Sequence, residues 1–185
     1  MKMKNLTWVF AAIFIAGSLT SCKKFKTVTF EKTFTNVTME IPATNVIGTQ
    51  YVSKSLTGIQ QFAKDNKFNV EDIKSIKPTK CVVEIQDYST AFTPHTFDVL
   101  DFVSMTAESP GIPVMLFADI YPAHTGATSM TIPIRDVDVK DFLKADTFNV
   151  DGAFQNNDTI THNVPVSATL TFEITAEVKL NMFGK

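Results

Sequence analysis

Residues 166–180 read VSATLTFEITAEVKL, and their alternation decides the fold class. Val166, Ala168, Leu170, Phe172, Ile174, Ala176, Val178 and Leu180 hold one parity, while Ser167, Thr169, Thr171, Glu173, Thr175, Glu177 and Lys179 fill the other. A period of two with one apolar side describes a strand that lays one face on a core and the other in solvent. Similar material recurs upstream in KCVVEIQD (80–87), DFVSMTAE (101–108), PVMLFADIY (113–121), SMTIPI (129–134) and TFNVDGAF (147–154). Residues 26–41 place Val28 and Phe30 on one parity but Val37, Met39 and Ile41 on the other. That switch predicts one long bent strand or a pair, ended by Pro42.

Residues 52–66 break the pattern. Val52, Leu56, Ile59, Phe62 and Ala63 recur at spacings of three and four, which predicts an amphipathic helix, with Gly58 as its weak point. Many short strands with only one helix near 52–66 predict a mainly β chain. The expected architecture is a single antiparallel β-sandwich, immunoglobulin-like in broad outline, with short capping helical turns.

The N-terminus reads MKMKNLTWVFAAIFIAGSLTSC. Lys2 and Lys4 precede an apolar run, Leu6 to Gly17, that is short beside the ~20 apolar residues of a membrane-spanning helix. These are the marks of a secretory signal peptide. Its ending, Leu19-Thr20-Ser21-Cys22, resembles the lipobox of bacterial lipoproteins, which implies lipidation of Cys22 after loss of residues 1–21. Residues 22–26 then form a tether and 27–185 the sandwich domain. Without Lys2 and Lys4, 15 basic residues face 19 acidic ones, a net charge of −4. Lys23, Lys24 and Lys26 form a basic collar beside the anchor and suit anionic headgroups. The body beyond them is acidic, which argues against nucleic acid.

Three stretches share one pattern: FNVEDIKSI from Phe68, FDVLDFVSM from Phe97 and VDVKDFLKA from Val137. Asn69, Asp98 and Asp138 sit where a helix N-cap accepts from free backbone N–H groups. Asp72, Asp101 and Asp141 follow three residues later, in a variant of the capping box. The motif therefore predicts short helical turns that carry the chain from one sheet to the other. Unequal spacing disfavours a solenoid. Lys140 among Asp136, Asp138 and Asp141 disfavours a calcium loop.

Little else suggests chemistry. His95, His124 and His162 show no metal-ligand spacing, and no nucleophile, phosphate or dinucleotide motif appears. Cys81 alternates with Val83 and Ile85 and is expected in the core. Trp8 falls in the leader, leaving Tyr51, Tyr88 and Tyr121, so the composition gives little support to a sugar-stacking platform. No catalytic residue, metal or cofactor is expected.

The lipobox, with IPIRDVDVKDFLKADTFNV running into NNDTITHNVPVSATLTFEITAEVKL, is similar to the small β-sandwich lipoproteins common in Bacteroidota. That resemblance implies a lipid-anchored, non-enzymatic protein of the cell envelope with a protein-interaction or structural role. KKFK after Cys22, in place of an acidic cluster, implies an outer-membrane protein facing the periplasm. The alternative is a cell-surface ligand-binding or adhesion module that uses its loops.

Overall fold

The structure, a computed structural model, describes residues 25–86 and 95–179. Cys22, Lys23 and Lys24 lie outside the described residues, and Lys26 lies in the first strand. In chain order the elements are β1 (Phe25–Ile41), β2 (Gly48–Thr57), α1 (Gln60–Asp65), β3 (Ile73–Ile85), β4 (Leu100–Ser109), β5 (Ile112–Ile120), β6 (Ser129–Thr131), α2 (Lys140–Leu143), β7 (Thr147–Asn156) and β8 (Val164–Lys179). Short 3₁₀ turns at Val70–Asp72 and Phe97–Val99 precede β3 and β4.

The strands form two antiparallel four-stranded sheets, β1-β8-β3-β6 (sheet I) and β2-β7-β4-β5 (sheet II). Of the links between consecutive described strands, only β4–β5 stays within one sheet; every other link crosses between the two. This is the connectivity of a double-sheet jelly roll. The expected sandwich is present, with a strand order different from that of immunoglobulin domains.

Burial follows the alternation read in β8. Val164, Val166, Ala168, Leu170, Phe172, Ile174 and Ala176 are buried, and they meet Phe148, Val150 and Phe154 of β7 within one core. Cys81 is fully buried there, and desolvation pushes its thiol up to about 12, so it serves as a small apolar residue. Gly152 faces inward beside Phe154, whose ring would lie 2.5 Å from an added Cβ.

The parity switch in residues 26–41 is a bulge inside one strand. The register with β8 shifts between Phe34 and Val37, and Asn36 takes a left-handed φ of 56°. The helix expected over 52–66 is corrected to two elements. Residues 48–57 are an edge strand and only Gln60–Asp65 is helical. The inward parity of β2 carries Gln50 and Lys54 as well as Val52 and Leu56, which hides the alternation. Gly58 stands at the junction because the carbonyls of Leu143 and Ala145 occupy the space of a side chain.

All three motif copies stand at crossings between the sheets, each with a short helical turn, but most of the capping roles need correction. Asn69 makes no side-chain cap bond; its amide donates to Asp72 at 2.9 Å instead. The cap of the second turn is Thr96, which accepts from the Asp98 N–H. Asp98 lies inside that turn, and both its oxygens accept from the Gly126 N–H. Asp101 lies in β4, where it accepts from Asn157. Asp138 does accept from the Lys140 N–H, and also from Ile76 of β3. Asp141 is an exposed acid in the first turn of α2. The pattern marks corners, and its carboxylates mainly tie one loop to another.

Candidate functional site

Register places the outward side chains of sheet II in rows. Tyr51 of β2, Ala153 of β7, Ser104 of β4 and Asp119 of β5 lie side by side. The next row toward the hairpin end is Ser53, Asp151, Thr106 and Leu116. On the other side, Thr49, Gln155 and Phe102 form a row, and the Phe102 ring meets Tyr121 at 5.0 Å. Large side chains therefore stand around short ones. The result is an open groove of about 650 Å³ across β2, β7 and β4. That volume lies within the ~300–1,000 Å³ typical of ligand clefts.

Polar side chains stand along the groove, with Tyr51 and Phe102 as its aromatic lining and Val52 and Val114 adding apolar surface. Ser53, Ser104, Thr106, Asp151 and Gln155 present hydroxyl, carboxylate and amide groups, and Glu108 stands at the hairpin end. Tyr51 and Tyr121 are 77% and 76% exposed, the highest values among the exposed large hydrophobic residues. Tyrosines so exposed contribute little to the core, and their rings remain available for contact. Tyrosine is scarce, but two of the chain's three tyrosines, Tyr51 and Tyr121, stand exposed on this face.

Beside the groove, Arg135 clamps Asp119 through Nε at 2.7 Å and Nη2 at 3.0 Å. Those hydrogen bonds, and then the guanidinium charge, hold the Asp119 carboxyl below its usual range. The clamp also secures the segment that covers the β5 edge, where Arg135 N–H donates to Phe117 at 2.9 Å.

A second concentration of polar groups lies at the end of the sandwich remote from Phe25. The loops 42–47, 95–99, 121–128 and 157–163 meet there, and with them all three histidines. The His95 and His162 rings stack 4.6 Å apart, an approach invisible in their sequence separation. The His124 Nδ1 donates to the Asp98 carbonyl at 2.9 Å. Asn156, fully buried, accepts from Gly48 and donates to Val46 and Asp158, tying two of these loops. Among the described residues, no three His, Cys, Asp or Glu side chains gather as a metal site. The capping residues are scattered over both ends and do not form a site.

No family model matches this chain, and no curated protein is similar to it. No helix among the described residues is long and apolar enough to cross a membrane.

Proposed function

We propose that this chain is a lipid-anchored, non-enzymatic binding module of the cell envelope, whose working surface is the groove on sheet II. The single observation that carries the reading is that groove, a concavity with an aromatic lining and converging polar groups on an otherwise self-contained sandwich. Anchoring through Cys22 rests on the lipobox, and the collar of Lys23, Lys24 and Lys26 favours the periplasmic face of the outer membrane.

Two observations favour a groove over docking along a sheet edge. Both long edge strands carry lysine on the inward parity, Lys32 in β1 and Lys54 in β2, a device that discourages strand addition. Lys32 lies over the Phe34 and Phe62 rings at 5.1 and 5.7 Å. The β5 edge is covered by the chain around Ile134.

The test is made in cells that produce the chain. A Cys22→Ala variant is expected to leave the membrane fraction, and a photo-crosslinker at Ser53 to capture a ligand that one at Thr33, on sheet I, does not. Retention of Cys22→Ala in the membrane would sink the anchor; equal capture from both faces would sink the groove.

A further inference from the structure

Resting on the groove as the working surface, we infer that its ligand is a neutral oligosaccharide. Its rings stack on Tyr51 and Phe102, and its hydroxyls bond to Asp151, Glu108 and Gln155. The inference follows from what the lining has in common with one ligand class. A pyranose ring is amphipathic: its C–H faces suit an aromatic face, while its edge carries hydroxyl groups that both donate and accept. The groove offers that combination, with Tyr51 and Phe102 among its lining and short polar residues between them.

Charge narrows the class. Glu108 and Asp151 line the groove, and among the described residues no lysine or arginine does. Ionised carboxylates only accept, so they favour a ligand rich in O–H donors and repel phosphate, sulfate and uronate groups. A flat apolar protein patch is a poorer fit, because it would bury the groove's hydroxyls and carboxylates without partners. Spacing favours a chain of sugars over a single one. Tyr51 and Phe102 are two strands apart across the sheet and one row apart along it, which puts their Cα atoms ~12 Å from each other.

The experiment is calorimetric titration of the purified full chain with maltoheptaose, cellohexaose, xylohexaose, mannohexaose and chitohexaose. Polygalacturonate and hexalysine serve as charged controls. At least one neutral oligosaccharide is expected to bind. Tyr51→Ala should weaken it on the order of tenfold or more, since a stacked ring supplies both area and geometry. Tyr51→Phe should retain most of the affinity, and Thr33→Ala on sheet I all of it. Tyr51 is so exposed that its variants are expected to fold, which thermal denaturation checks.

Sugar binding that ignores Tyr51→Ala overturns the inference. So does binding of hexalysine or polygalacturonate with no neutral sugar bound. If no sugar binds while the Ser53 crosslinker still captures a protein, the glycan is overturned and the groove stands. If neither occurs, both readings fall.

Discussion

The two outer faces of the sandwich are built by the same alternation and look nothing alike. On sheet I, Thr29, Thr175 and Ser75 share a row, Thr33 and Thr171 join hydroxyls at 3.1 Å, and Glu31, Glu173 and Lys77 lie beside them. Within each row the side chains match in reach, Thr beside Thr and Ser, Glu beside Glu and Lys, and all are polar. On sheet II, Tyr51 stands beside Ala153 and Ser104, and the difference in reach makes a groove. Period two thus states which residues face out. The sequence of sizes across the rows, which only register can show, states whether that face can hold something.

Inside, the sheets are expected to be equals. Phe172 of sheet I and Phe154 of sheet II are both fully covered, and replacing either by alanine should cost ~3–5 kcal/mol in urea denaturation. A gap between the two as large as the effect itself would break the symmetry. Asn156→Ala should come next, at about 1–3 kcal/mol, because Gly48, Val46 and Asp158 would each lose a buried partner. Its loss should loosen the loops more than the groove, which amide hydrogen exchange reads residue by residue.

The outer faces should separate by function more than by stability. Tyr121→Ala is expected to change stability by no more than ~0.5 kcal/mol, and Thr33→Ala, which removes the partner of the Thr171 hydroxyl, by about 1 kcal/mol. Only the first, which removes the ring packed on Phe102, should weaken a groove ligand in the same titration.

The smallest effect concerns two ion pairs. The Asp119 carboxyl, bonded by Arg135, and the Asp136 carboxyl, bonded by Lys77, are both held below the usual range. A lowered folded pKa adds stability above the unfolded value of ~3.9 and loses it as pH falls through the folded value. Melting temperature should therefore fall on acidification below about pH 4, with a shallower slope in Arg135→Gln. Lys77→Gln should change the slope less, since Asp136 is 85% exposed against 23% for Asp119.

Legibility followed burial. β8 could be read from residues alone because it is central in its sheet, dry on one face and wet on the other. β2 could not, because an edge strand with Gln50 and Lys54 on its inward parity offers no clean period, while Val52, Leu56 and Ile59 imitate a helix. The shared motif correctly marked corners, yet the bonds at those corners come from Gly126, Asn157 and Ile76, distant in the chain. The groove was out of reach for the same reason. Its residues come from β2, β4, β5 and β7, and no local stretch contains both Tyr51 and Phe102. The one sequence signal was the TQYVSKS alternation, in which Thr49, Tyr51, Ser53 and Ser55 share a parity.

The connectivity also dictates how this chain reaches its native state. Among the described strands one hairpin, closed at Pro110 and Gly111, joins neighbours in the chain, so β4 and β5 can pair early. β1 must wait for β8, the last of the described strands, and β2 must wait for β7. Such non-local pairing places refolding in the millisecond-to-second range, with loop closure as the obstacle. Until β8 arrives, β1 lacks its sheet partner and β3 can pair only with the short β6. Deleting β8 should therefore leave no stable half.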